Sequence, residues 1–293
     1  MNVLPTEKKI AAIAALTEGV SIRATERLTG IHRDTIMRLG VKIGQGCAAL
    51  HDSLFRNLNV AMIECDEIWS YVAKKEKRVA PKYKGFQGDQ YTFTALDATS
   101  KAIIAYRVGR RELIPTRDFM ADLRMRVLNR PQINTDAFKS YHLAVEAAFG
   151  SEVDYGQIVK HYRAVGSSPE ASRRYSPTEV VKVERKVIQG LPRRISTSYV
   201  ERSNLTFRMQ SRRFTRLTNG FSKKLENHVA AVGLFIAHYN LCRVHEAHRV
   251  TPAMQLGVTD HVWSIAELIE AAETGAFQAK RVGSFTVIDG GRV

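Results

Sequence analysis

Three carboxylates, Asp66, Asp136 and Glu201, stand in stretches from which separate structural elements could bring them to one centre. Asp66 lies in a long apolar and aromatic run, NVAMIECDEIWSYVAKK, with Glu64 and Glu67 beside it. Asp136 closes the short run PQINTD, and Glu201 is the one acid in the basic and polar stretch STSYVERSNLTFR. Hard carboxylate oxygens suit Mg²⁺ or Mn²⁺, and two such ions about 3.5–4 Å apart activate an attacking oxygen and stabilise a leaving one across phosphorus. Each acid also has a plainer reading. An Asp in a strand is commonly a hydrogen-bonded or edge residue, and a single Glu among arginines can sit on a solvated face.

Convergence needs strands and a helix in the right places. Side chains alternate along a strand, so Glu64 and Asp66 share one face while Cys65 and Glu67 take the other. Glu64 is then a supporting group or only a neighbour. YTFTALDATS and KAIIAYRVG read as two further strands around a turn at 98–101, with Asp97 as a turn residue. PTRDFMADLRMRVL reads as a helix with Pro115 in its first turn, PQINTD as a short strand, and AFKSYHLAVEAAFG as a helix closed by Gly150. A three-strand meander followed by helix, strand and helix is the order of a ribonuclease H-like core, an α/β mixed sheet with helices on both faces.

Downstream, a basic insertion is expected at about 157–195, of which residues 165–195 are rich in Ser, Pro, Arg and Lys and read as an insertion or flexible arm with a β-like piece at 180–183. SYVERSNLTFRMQSRRF reads as a helix, which puts residues 201, 204, 205, 208 and 212 on one side. ENHVAAVGLFIAHYNLCRVH is a strongly apolar helix, and the tail carries an amphipathic helix, WSIAELIEAAE, and a short strand, SFTVID. Residues 6–45 read as three short helices, with Ser21 as an N-cap and Gly30 closing the second. This is the pattern of a helix-turn-helix, whose second motif helix enters the major groove, although any three-helix bundle shares the periodicity. Its core would be Ile22, Ala24, Leu28, Ile31 and Ile36, leaving Arg33, Asp34, Thr35 and Arg38 facing out. The expected organisation is a helix-turn-helix domain at 1–50, a catalytic domain at 58–258 and a C-terminal tail at 259–293.

Charge points to the partner. The 293-residue chain carries a net charge of +15, and residues 156–224 hold 16 cationic side chains against 4 acidic ones. Such a patch attracts polyanions, of which nucleic acid is the commonest. Arg33, Thr35 and Arg38 are candidates for DNA contact in the third helix. Lys139 and His142 follow Asp136, and His142 is equally readable as an ordinary helix residue. Arg202, Asn204, Arg208, Arg212 and Arg213 follow Glu201, on what is otherwise a solvated basic face. No stretch of about 18 consecutive apolar residues suggests a membrane span. The first residues lack signal-peptide order, and three scattered cysteines fit a reducing cytoplasm.

The segments IECDEIWSYVAKKEKR, NTDAFKSY, YVERSNLTFRMQSRRFTRLTNGFSKKLENHVAAV and HYNLCRVHEAHRVTPAM together resemble the DDE transposases of bacterial insertion sequences, most of all the family founded on insertion sequence one. The likeness covers roughly residues 60–265. It implies a ribonuclease H-like catalytic domain with the triad on Asp66, Asp136 and Glu201, two Mg²⁺ or Mn²⁺ ions, DNA ends and target DNA as partners, and a homodimer or larger assembly. It equally admits a related nuclease without strand transfer, or a non-catalytic DNA-binding regulator. Two departures stand out: the stretch between Asp136 and Glu201 is longer than in compact members, and the cysteines of members with an N-terminal zinc finger are missing.

Overall fold

The computed structural model describes residues 4–164, 178–215 and 219–275. Three N-terminal helices, α1 (Thr6–Thr17), α2 (Ile22–Thr29) and α3 (Arg33–Leu54), precede β1 (Met62–Val72), β2 (Gly88–Asp97) and β3 (Ile103–Gly109). Then come α4 (Leu113–Arg126), β4 (Gln132–Asp136), α5 (Lys139–Phe149), β5 (Asp154–Ala164) and β6 (Thr178–Gln189). The chain continues through α6 (Ser198–Gln210), α7 (Leu225–Ala237), α8 (Pro252–Gln255) and α9 (Ile265–Thr274). The result is an α/β fold whose six strands form one mixed sheet in the order β3-β2-β1-β4-β5-β6. β1 runs antiparallel to β2 and parallel to β4, and β4 runs parallel to β5.

The alternation of β1 sorts its side chains into two layers. Ile63 and Cys65 join a core with residues of α3, α4 and α5, including Leu54, Phe119 and Tyr141. Ile68 packs on the opposite face with Val200 and Phe207 of α6 and Val232 and Phe235 of α7. Helices therefore cover both faces, as the order of apolar runs implied. The turn after β2 is also as expected: Asp97 accepts bonds from the Ser100 amide at 2.7 Å and hydroxyl at 2.6 Å.

Three findings revise the sequence reading. First, the described residues of the segment read as a flexible insertion are largely paired strands, because β5 and β6 run antiparallel from Tyr155–Gln189 to Ala164–Thr178 and extend the sheet. Second, the N-terminal helices share the main core with the sheet. α3 continues past residue 50, and the cluster containing Ile36 and Ile43 also contains Phe55, Ile63 and Phe93. At the crossing of α3 and α7, a Cβ on Gly44 would lie 2.1 Å from the Ala230 carbonyl oxygen, so glycine is what lets the two backbones touch. Leu268 and Ile269 of α9 belong to the same core, so the tail helix is built into the body. Third, Leu28 is 73 % exposed instead of buried with Ile31 and Ile36. Ser21 does cap α2, accepting from the Ala24 amide, and Gly30 ends it in the left-handed region at φ 68°. The expected strand SFTVID lies outside the described residues.

Candidate metal and phosphodiester site

The last residue pair of the β1–β4 ladder is Glu64 with Asn134. Two residues further along each parallel strand come Asp66 and Asp136, level with each other just where the ladder stops. Ligand sites in such sheets gather at the carboxyl ends of parallel strands. Across this gap Asp66, Glu67 and Asp136 each bring a carboxylate oxygen within 4.8 Å of the others. Glu67 points to the α5 face, where the Tyr141 hydroxyl donates to it at 2.9 Å. Asp136 turns the chain into α5 by accepting from the Phe138 amide at 2.9 Å.

Arg111, between β3 and α4, bridges two of these acids. Its Nε donates to Glu67 and its Nη2 lies 3.3 Å from Asp136, while the guanidinium rests 4.2 Å above the Phe138 ring. Burial raises the Glu67 carboxyl above its usual range and the charge of Asp136 adds to the effect, with Arg111 opposing it. Asp66 is pushed up to about 7, first by burial and then by the negative charges of Glu67, Asp136 and Glu201. Several carboxylates crowded in a half-buried gap are mutually repulsive without counter-cations, and hard oxygen donors of this kind suit a divalent ion.

Glu201 stands in the first turn of α6 and is exposed. It belongs to the electrostatic surroundings of Asp66, yet its Oε1 is held by Lys160 of β5 at 2.5 Å and by the Thr197 hydroxyl at 2.6 Å. The fold thus brings all three sequence-derived acids to one end of the sheet. Glu67 completes the closest carboxylate group, while Glu201 is paired with a lysine from the neighbouring hairpin.

The residues expected on DNA divide. Arg33, Arg38, Lys139, His142, Arg202 and Arg212 are exposed, and Thr35 and Arg208 are half-buried. Asn204 is not available to DNA: it is 4 % exposed, and its Nδ2 donates to Asp66 Oδ2 at 2.7 Å. Arg213 is turned inward to the Ser222 hydroxyl at 2.5 Å, where burial lowers its guanidinium to about 10. Arg212 does not continue the Glu201 helix, because α6 ends at Gln210 and Arg212 opens a separate 3₁₀ turn. The HYNLC segment packs the last helix onto the sheet. Asn240 is fully buried and pairs through both its amide atoms with the backbone of Ile103, at 3.0 and 2.8 Å.

Glu67, Arg111 and Lys160 were not singled out by sequence. Glu67 falls on the strand face opposite Asp66, and nothing local ties Arg111 or Lys160 to the acids they neutralise. Neither a protein-family model nor a curated protein matches this chain. Among the described residues no helix is long and apolar enough to cross a membrane.

Proposed function

We propose that this chain is a DNA transposase of the DDE type, acting in the cytoplasm on DNA ends and target DNA as a homodimer or larger assembly. The observation that carries the reading is the meeting of Asp66 and Asp136 where β1 and β4 part, with Glu201 of α6 in the electrostatic reach of Asp66. The strand order is compatible with a ribonuclease H-like core, and the net charge of +15 suits a polyanionic partner.

The donor set fits Mg²⁺ or Mn²⁺, with Asp66, Asp136 and Glu201 as the residues that would hold two ions and Glu67 beside them. When bound, such ions stabilise the charge that develops on the attacking and leaving oxygens. Asn204 orients the Asp66 carboxylate, and Tyr141 and Arg111 orient Glu67. Lys160 and Arg111 offset carboxylate charge close to where a phosphate would arrive. Exposed Arg202 and Arg212 grip backbone phosphates, contacts that position DNA without reading its sequence. Sequence choice belongs to the start of α3, through Arg33, Thr35 and Arg38, if α2 and α3 work as a helix-turn-helix. In the first reaction a water oxygen bonds to phosphorus and the ester bond breaks, freeing a 3′-OH. In the second that hydroxyl attacks a target phosphate and displaces the target's own 3′-oxygen.

A strand-transfer assay tests this reading, using precut duplexes from the DNA that flanks the reading frame, a plasmid target and Mg²⁺. Joined product from the wild type and none from Asp66→Asn supports it. Cutting without joining leaves a nuclease. DNA binding with neither reaction leaves a regulator.

A further inference from the structure

The helix that carries Glu201 begins in an unusual way. Its N-cap residue, Thr197, does not cap it, because the Thr197 hydroxyl donates to the Glu201 carboxylate instead. The free amides of the first turn are met from another element. Oε2 of Glu64, in β1, accepts from the Tyr199 amide at 2.7 Å and the Val200 amide at 3.1 Å. Glu64 is 0 % exposed, and its Oε1 has no hydrogen-bond partner among the described residues. A carboxylate at a helix N-terminus is favoured by the amides and by the helix dipole. Here one oxygen of the strand beneath the helix meets both amides.

Glu64 and Asp66 lie on the same face of β1, about 6.6 Å apart at strand spacing. On α6, Val200 and Asn204 are separated by about 6 Å at helical rise. The two spacings match, so β1 holds α6 at two successive points: Glu64 on the Val200 amide and Asp66 on the Asn204 amide group. Glu201 sits between those points. The ring of Tyr199 also meets two cations, Lys101 at 3.1 Å and Arg194 at 5.5 Å from its centre.

We propose that Glu64 is a positioning residue for Glu201: by capping α6 from β1 it sets the height of the helix on the sheet and holds Glu201 beside the Asp66–Asp136 centre. This rests on the transposase reading for the role of Glu201, and on the hydrogen bonds alone for the cap. Residues that orient a ligand are worth roughly 10–100-fold in metal affinity. Because both bonds go to one oxygen, Glu64→Gln preserves the acceptor while removing the charge. Glu64→Asp keeps the charge but draws the oxygens back by about 1.5 Å, one C–C bond.

The test uses the full-length protein, stripped of metal, at a temperature where every variant is folded. Amide hydrogen exchange at Tyr199 and Val200 reports the cap, and titration with Mn²⁺ followed by electron paramagnetic resonance reports the site. Glu64→Ala and Glu64→Asp are expected to speed exchange and to weaken Mn²⁺ binding roughly 10–100-fold. Glu64→Gln is expected to stay within about threefold of wild type in both, on the same reasoning. Ile43→Val, a remote core change, controls for lost stability and should leave Mn²⁺ affinity unchanged. If Glu64→Ala does not fold, the comparison of Asp with Gln decides. Wild-type Mn²⁺ affinity in Glu64→Asp, or unaltered exchange at Tyr199 and Val200, overturns the proposal. A wild type that binds no Mn²⁺ while the Glu64 variants lose amide protection overturns the transposase reading and, with it, the role given to Glu201, leaving Glu64 a helix cap alone.

Discussion

Replacing Asp66 by Asn should make the metal-free protein more stable at high pH and should flatten its pH profile. Asp66 holds its proton to about 7 in the fold, against 3.8 for an ordinary aspartate, first because it is buried and then because Glu67, Asp136 and Glu201 surround it. Between those values the unfolded chain has released a proton that the native state keeps. Stability from this group is therefore fully present below about pH 4 and is lost as pH rises through about 7. A shift of about three pH units corresponds to about 4 kcal/mol as an upper bound, with a slope of no more than about 1.4 kcal/mol per pH unit. Asn keeps the shape and can still accept from Asn204, so it removes the penalty with little change in packing. Urea unfolding in EDTA from about pH 4 to about pH 8 measures it. The Asn variant should gain on wild type across the range and level off near the top. Saturating Mg²⁺ should then reverse the order, because an ion bound to the native carboxylates stabilises the wild type alone. A difference that is constant with pH, or that grows as pH falls, refutes the reasoning.

Other expectations follow from burial and close approach. Gly44→Ala places a Cβ 2.1 Å from the Ala230 carbonyl oxygen, and should lower stability by at least about 1–3 kcal/mol in urea unfolding. Ile36→Ala should cost about 2–5 kcal/mol, whereas Leu28→Ser should stay within about 0.5 kcal/mol, a contrast that calorimetry can read. Arg212→Ala should reduce the slope of log affinity against log salt for DNA by about 0.9, one phosphate contact. Arg213→Ala should leave that slope unchanged and lower the melting temperature, because its guanidinium bonds Ser222 inside the protein.

The β1 to α5 half of the sheet was legible because its strands and helices are bounded by local signals, such as the Asp97–Ser100 turn and Gly150. The hairpin of β5 and β6 was not. Its pairing joins residues such as Lys160 and Val183 across a stretch rich in Ser, Pro and charge, where composition argues for a loop. The exposure of Leu28 was not legible for a related reason: helical periodicity names an apolar face without saying what covers it. At the site, Asp66 and Asp136 were legible because both fall in strand runs, Asp66 within β1 and Asp136 at the end of β4. Glu67 was not, since strict alternation puts it on the far face, and only the gap beyond Glu64–Asn134 lets it meet the other two. Asn204 shares a helix with the exposed Arg202, but the turn of α6 aims it at Asp66. Long-range pairings such as Lys160 with Glu201 and Glu64 with the Val200 amide leave no trace in local sequence.

The proposed function requires Asp66, Asp136 and Glu201 to hold divalent ions together. Anomalous diffraction from crystals grown with Mn²⁺ tests it most directly. Mn²⁺ is expected at about 2.0–2.2 Å from carboxylate oxygens of Asp66 and Asp136, with Glu201 released from Lys160 and turned onto an ion. An ion held by Asp66, Glu67 and Asp136 with Glu201 still on Lys160, or no ion where β1 and β4 part, contradicts it.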